Sequence, residues 1–286
     1  MSKSDNKATQ YVGAMGGGEP KPKRANKKFL VRHIMPSDTH GFVGRVYDLS
    51  IVAYHFDTID ELMSHPDCKY AYLTNHWLTG MATRVESLNL VGDMLWPEPL
   101  PSTFKDMPIS RYDWLTVATD VFLLRYISVV DCALILSNMV FELGLNEQQC
   151  KLSNLKKSGL PNHMVKHLKL MMEEQGDLRS ERNARIHHGN EREFTDDDQT
   201  FKTASLFNDK LHGMTGTDRY GRPIDVDRSF REGLVVLQRD FNQSTRRLKN
   251  QLDQLYDLLW DEFEDRFGPR IAAATHGKNA NSKIKK

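Results

Sequence analysis

The chain has 286 residues, and its 39 Lys and Arg residues nearly balance its 38 Asp and Glu residues, which leaves a formal net charge of +1. This balance excludes a protein whose whole surface is basic, so any contact with nucleic acid has to come from a local cluster of charges. The length is sufficient for a sizeable hydrophobic core, and we expect one main domain with unstructured ends.

The cysteines and the lack of long apolar runs predict a cytoplasmic protein. Cys68, Cys132 and Cys150 are odd in number and widely spaced, which is typical of reduced packing residues rather than of a disulfide framework. The N-terminus carries Lys and Gly where a secretory signal needs an apolar core. No apolar run approaches the roughly 18 residues that a membrane-spanning helix requires, so no membrane contact is expected.

Both ends of the chain are basic and poor in apolar residues. Residues 1–28 and 269–286 are therefore predicted to be disordered tails, which either keep the protein soluble or, at the N-terminus, contact RNA phosphates. Between them, residues 29–268 are predicted to form a single helical domain, with its core at about 70–265.

The first third of this domain is predicted to contain one short strand followed by helices. Residues 29–35 have the composition of a strand, whereas residues 42–56 have apolar side chains at helical spacing. A further turn or two of helix is expected at 57–64, and an amphipathic helix at 70–96. Four prolines between positions 97 and 108 then predict an irregular connector, either a lid or a crossing between helices.

Residues 112–143 are apolar nearly all round, which predicts a central, buried helix. Its polar residues Asp120, Arg125, Ser128 and Asp131 are therefore informative, because buried charges must be paired or line a cavity. Two interpretations stay open. Arg125, Ser128 and Asp131, which are three residues apart and form a row on the helix, either contain an internal ion pair or face a basic helix later in the chain and support a site there.

The next predicted helix, at about 161–175, carries His163 and His167 at i and i+4, a spacing that can hold a metal ion on one helical face. No third ligand is evident, so we predict no metal site.

Two further segments follow a basic helix at about residues 177–188, which is described below. Residues 191–227 are polar and rich in turns, with some helix at about 201–211, and this excursion could border a cleft. Residues 227–267 carry apolar side chains at alternating steps of four and three, which predicts a long helix that packs on other helices or on a second copy of the chain.

The most unusual stretch is Leu178–Asn190, which reads LRSERNARIHHGN. It is predicted to be a helix that ends at Gly189. At about 100° per residue, the side chains of Arg179, Arg182, Asn183 and His187 lie on one face roughly 140° wide. The helix thus presents guanidinium groups beside an imidazole.

This pairing suits the cleavage of a phosphodiester. Histidine can move a proton at neutral pH, and arginine can bind a phosphate through two parallel hydrogen bonds and stabilise the charge of the transition state. RNA supplies its own nucleophile, the 2′-OH, so such a reaction needs no metal and no cofactor is predicted.

The sequence from Arg182 to His187 has the form R-N-x-x-x-H, which resembles the R-x4–6-H signature of the HEPN superfamily. The resemblance extends over roughly residues 70–265. It implies an all-α, HEPN-like helical bundle with long central helices. It also implies a metal-independent endoribonuclease of the kind found in toxin–antitoxin, abortive-infection and CRISPR-linked defence, working as a homodimer with a composite active site.

Carried over residue by residue, the resemblance gives Arg182 and His187 the catalytic positions and Asn183 a supporting polar one. His188 is an alternative catalytic residue, since a gap of five residues also satisfies the signature. Gly189 occupies the position at which one antitoxin-modified subgroup has a tyrosine, so nucleotidylation of that tyrosine is not expected here.

Three more residues are predicted to support the site: Arg179 on the same helix, and Arg125 and Asp131 on the apolar helix.

The leading hypothesis is therefore a homodimeric HEPN endoribonuclease of bacterial antiviral defence that acts on RNA and has an antitoxin or regulatory partner. One alternative is a non-catalytic HEPN module that dimerises and binds RNA or a nucleotide. The other is a structural helical adaptor, in which the segment from Arg179 to His187 forms ion pairs with carboxylates such as Asp120 or Asp131.

Overall fold

The computed structural model describes residues 28–274, so most of the two predicted tails lies outside the described residues. Within 28–274 the regular elements are helices, which confirms the all-α prediction, and the only β feature is an isolated bridge. The helices are α1 (Gly41–Ser50), α2 (Ile59–Met63), α3 (Pro66–Leu95), α4 (Arg111–Val140), α5 (Leu152–Lys157), α6 (Asn162–Glu174), α7 (Gly176–His188), α8 (Asp198–Lys210) and α9 (Val226–Ala273). None of them is both long and apolar enough to cross a bilayer.

Helices α3 and α4 form the centre of the bundle and pack on each other along their lengths. The connector between them is irregular, as its prolines predict, and it is a crossing between the two helices. Phe104 of the connector is buried in the core. Helix α4 then begins with a capping box, in which the Ser110 hydroxyl accepts from the backbone N–H of Asp113 and the Asp113 carboxylate accepts from the backbone N–H of Ser110.

Helix α9 is 48 residues long and lies against both central helices. Its apolar seam is buried within this one chain, so the seam packs into the core of the bundle. The seam consists of Phe230, Leu234, Leu237, Phe241, Leu248, Leu252, Leu255, Leu259 and Phe263. Helix α9 continues to Ala273, past the predicted domain end at residue 268.

The strand predicted at residues 29–35 is wrong. The segment is irregular in the structure, and helix side chains rather than a neighbouring strand bind its backbone. Asn242 of α9 accepts from the N–H of His33 at 2.7 Å and donates to the carbonyl of Val31 at 2.8 Å. Asn89 of α3 makes the same pair of bonds with the backbone of Met35, at 3.0 and 2.8 Å. We call residues 29–35 the N-terminal strap.

Helix α4 differs from its prediction as a helix buried on all sides, because one of its edges is exposed to solvent. Val117 and Leu124 on this edge have 42% and 45% of their surface exposed. The side chains of Asp120 and Asp131 are 44% and 51% exposed. Composition alone does not show this edge, since Val117 and Leu124 are as apolar as the buried residues of the helix.

Of the two histidines of α6, His167 is buried, and its Nε2 lies 2.9 Å from the carbonyl oxygen of Gln251 on α9. Burial lowers the pKa of His167. It is therefore a packing residue that joins two helices. No group of three or more metal-ligating side chains occurs among residues 28–274.

The strap gives a test of side-chain binding to a backbone. Asn242→Ala should lower the free energy of unfolding by about 1–3 kcal/mol, because the N–H of His33 and the carbonyl of Val31 both lose their partners. Urea unfolding followed by circular dichroism measures this change. Gln243→Ala is the matched control, since Gln243 is the exposed neighbour of Asn242. Equal stability of the two variants would contradict the role assigned to Asn242.

Candidate active site on helix α7

Helix α7, which carries the basic motif, is attached to the bundle mainly by charged side chains. No residue of this helix is buried, and Leu178 is its partly buried contact with the core. The residue before the helix, Gln175, is fully buried and donates from Nε2 to the carbonyl of Tyr126 on α4 at 2.8 Å. Gly189 ends the helix with a φ of +66°, as predicted.

Two ion pairs join α7 to the exposed edge of α4. Arg179 donates from Nη2 to Asp131 at 3.0 Å, and Arg185 donates from Nε to Asp120 at 2.6 Å. The two pairs differ in exposure, because the Arg185 side chain is 6% exposed and that of Arg179 is 27% exposed. Arg179 and Arg185, which precede and follow Arg182 along the helix, are thus both paired with carboxylates of α4.

A third connection joins α7 to α9 through Arg192, which follows the helix. Arg192 donates from Nε and Nη2 to the Glu181 carboxylate at 2.7 and 2.6 Å, and from Nη1 to Asp240 at 2.6 Å. Burial alone would lower the pKa of Arg192, but its hydrogen bonds and ion pairs with Glu181 and Asp240 raise that pKa above its usual value. The guanidinium therefore stays charged and holds both acidic residues.

Arg182 is the exception among the arginines of α7. It lies between Arg179 and Arg185 along the helix and is half-buried, and its Nε is buried without a hydrogen-bond partner. Within the described residues its guanidinium makes no ion pair. A partly buried cation without a counterion is costly, so this position is suited to an anionic ligand.

Three other motif residues, Asn183, His187 and His188, are exposed to solvent. The exposed imidazole of His187 is free to reach a ligand at the surface of the helix. Arg179, Arg182, Asn183 and His187 thus border the same half-exposed side of α7. His188 lies about 100° further round the helix than His187.

The structure brings only part of the polar row of α4 to this helix. Asp131 contacts Arg179, whereas the Ser128 hydroxyl donates to the carbonyl of Arg125 within α4 itself. Arg125 is half-buried and makes no ion pair within residues 28–274. It lies about 120–140° around α4 from Asp120 and Asp131, away from the side that faces α7.

Sequence reasoning missed Gln175, Glu181 and Arg192 as residues that hold the site. One signal was available: α7 has no apolar stripe, so a helix of this composition must be attached by ion pairs to oppositely charged neighbours. Nothing in the sequence distinguishes Gln175 from other polar residues at helix ends.

The polar excursion after α7 packs against α4 and α9 through α8, whose Phe201 and Ala204 are buried in the core. Its acidic run supplies the N-cap of α8, where Asp197 accepts from the backbone N–H of Thr200, and Asp196 pairs with Arg222 at 3.1 Å. Two adjoining grooves of about 470 and 280 Å³ lie elsewhere, where Leu73, Met139 and Glu142 line both of them. Neither groove includes a residue of α7.

Comparison with protein families identifies the domain. The model of the Cthe2314-like HEPN family matches residues 77–249, more than half of the chain. The chain is a HEPN protein. The match begins in α3, ends in α9 and includes the whole of α4 and α7. Searches among curated proteins and among solved structures gave no match. HEPN domains are of the nuclease and RNA-binding type, and the all-α architecture of this chain agrees with the family.

The connection through Arg192 can be tested by truncation. Arg192→Ala should lower the free energy of unfolding by about 2 kcal/mol, because Glu181 and Asp240 lose a charged hydrogen-bond partner. Chemical unfolding at neutral pH measures the loss. Arg239→Ala is the control, since Arg239 is exposed and makes no ion pair within the described residues. An unchanged stability of the Arg192 variant would show that Arg192 does not hold α7.

Proposed function

We propose that this HEPN protein is a metal-independent endoribonuclease and that Arg182 and His187 are its catalytic residues. The observation that carries the proposal is the unpaired, half-buried guanidinium of Arg182 on a helix whose neighbouring arginines are both tied to carboxylates. Such a group is available to a phosphate, and the exposed imidazole of His187 lies five residues further along the same helix.

In the proposed reaction, His187 takes the proton of the RNA 2′-OH, and the 2′ oxygen attacks the adjacent phosphorus. Arg182 binds the non-bridging oxygens and stabilises the negative charge that develops on them. The bond to the 5′ oxygen breaks, and this oxygen leaves with a proton from an imidazolium. The products are a 2′,3′-cyclic phosphate and a 5′-hydroxyl.

We further propose that the active form is a homodimer, in which His187 of one copy is the base and the protonated His187 of the other is the acid, so that both protons move in the same step. An exposed apolar surface lies beside the site. Val117, Val121 and Leu124 follow one another along the exposed edge of α4, and Ile186 of α7 has 54% of its surface exposed. We call these four apolar residues, three on α4 and Ile186 on α7, the α4 edge.

Helix geometry supports a two-fold axis at the middle of this edge. Helix α7 runs antiparallel to α4, because Arg179 pairs with Asp131 and the later Arg185 pairs with the earlier Asp120. An axis between Val121 and Leu124, perpendicular to α4, would place both α7 helices on the same side of the antiparallel α4 pair.

In that arrangement Arg182 of one copy is level with His187 of the other to within about one residue rise. The partner copy thereby completes the site.

The structural-adaptor alternative accounts for only part of the site. It requires the arginines of α7 to be used in ion pairs, and Arg179 and Arg185 fulfil this requirement. Arg182 does not. A non-catalytic HEPN module that binds RNA or a nucleotide would use the same arginines, and it differs from the nuclease in leaving bound RNA intact.

Catalysis is tested with labelled single-stranded RNA in the presence of a chelator. Arg182→Ala and His187→Ala should each lower the cleavage rate at least about 100-fold, because a phosphate ligand or a proton-transfer group is lost. His188→Ala is the matched control and should cleave at close to the wild-type rate. Circular dichroism checks that the helical content of each variant is unchanged, and 3′-end analysis should find the cyclic phosphate.

Retained cleavage in both the Arg182 and the His187 variants would overturn the assignment. Binding of RNA without cleavage by the wild-type dimer would instead favour the non-catalytic module.

The proposed interface is tested by placing a charge on the α4 edge. Leu124→Glu should convert the dimer to monomer in light scattering and abolish cleavage, because a buried carboxylate at the axis would lack a partner. Leu170→Glu on α6 is the matched control, since Leu124 and Leu170 are both 45% exposed. If the Leu124 variant remains dimeric, the two copies do not associate through the α4 edge.

A further inference from the structure

The two ion pairs that attach α7 to α4 look alike along the sequence but differ in their surroundings. Arg185 is almost fully buried and reaches Asp120 at 2.6 Å, while also donating to the carbonyl of Thr116. Arg179 is 27% exposed, its partner Asp131 is 51% exposed, and only Nη2 takes part in their contact at 3.0 Å. Exposed pairs of this kind contribute little to stability and are readily replaced.

Arg179 is also held in a position from which it can change partners. Its Nη2 donates to the side chain of Gln175 at 3.2 Å, and Gln175 is itself fixed on the carbonyl of Tyr126. Its Nη1 makes no hydrogen bond within the described residues. The guanidinium is thus oriented by a buried amide and keeps donors available for an incoming anion.

Arg179 and Arg182 are three residues apart on α7 and are therefore neighbours on its surface. One of them has no counterion in the described residues, and the other has a counterion that solvent reaches. A phosphate at Arg182 would bring a chain of further phosphates past Arg179. Because phosphate oxygens and carboxylate oxygens make the same kind of contact with arginine, RNA and Asp131 would compete for the same donors.

We propose that Asp131 occupies the place of a substrate phosphate when no RNA is bound, and that Arg179 leaves Asp131 to bind a second phosphate of the RNA chain. Asp131 is thereby an internal competitor of the substrate, and the site prefers oligonucleotides to a single phosphodiester. This inference rests on the proposed function, because it takes RNA to be the ligand of Arg182. Asp120 has no such role, because its partner Arg185 is almost fully buried and is not accessible to RNA.

The competitor role predicts a gain of affinity where a purely structural role predicts a loss. Binding of fluorescently labelled single-stranded RNA is measured at several NaCl concentrations, with all variants in a His187→Ala background so that the RNA stays intact. Asp131→Asn should bind about five-fold more tightly, because Arg179 is released. Asp261→Asn removes the same charge from an exposed position on α9, 21 residues along the helix from Asp240, and is the matched control, with little change in affinity expected.

Arg179 supplies the second arm of the experiment. Arg179→Ala should bind more weakly, and the slope of log K against log salt should fall by about 0.7, as expected for the loss of one phosphate contact on a single strand. Adding Asp131→Asn to Arg179→Ala should then give no further gain.

Two results would overturn the inference while leaving the proposed function in place: equal affinities of the Asp131 and Asp261 variants, or an Asp131 gain that persists without Arg179. Absence of RNA binding in every variant would overturn both.

Discussion

The helix that carries Arg182 and His187 is attached to an apolar bundle by ion pairs. Elsewhere the helices pack through buried Leu, Val and Phe side chains, but α7 has no buried residue and is held by Asp120, Asp131 and Arg192. Charged contacts are directional, so they fix how the helix is rotated as well as where it lies. The orientation of the candidate site therefore depends on the acidic residues of α4 and α9.

Attachment by ion pairs also explains why Arg182 makes no ion pair within the described residues. Each tie between α7 and its neighbours uses one positive and at least one negative group, and the carboxylates that face α7 from α4 are both taken. Arg182 lies between these two ion pairs and makes none of its own within residues 28–274. A helix attached by apolar contacts would have offered no such unbalanced charge, because its charged side chains would all face solvent.

The sequence predicted the parts of this structure that local pattern determines. Gly189 marks the end of α7 because it takes up a positive φ, and the seam of α9 was visible as alternating steps of four and three. The R-N-x-x-x-H motif lies on a helix, as its pattern predicts. Periodicity and short motifs carry these features, since both act within a few turns of helix.

Other parts depended on residues far apart in the chain. The composition of the strap predicts a strand, yet the residue that binds its backbone at His33 is Asn242, 209 residues further along the chain. The exposed edge of α4 went unnoticed because Val117 and Leu124 are apolar. The use of Arg179 and Arg185 as ties depends on where α4 passes α7, and the local pattern of α7 does not contain that information.

The strap has one further consequence. Asn89 and Asn242 bind its peptide groups, whereas the side chains of Val31 and Ile34 point into solvent with 87% and 64% of their surface exposed. Recognition through the main chain is indifferent to side-chain identity, so substitutions at these two positions leave the hydrogen bonds intact, whereas substitution of either asparagine removes them. The outer surface of the strap can thus be changed by substitution without loosening the helices beneath it.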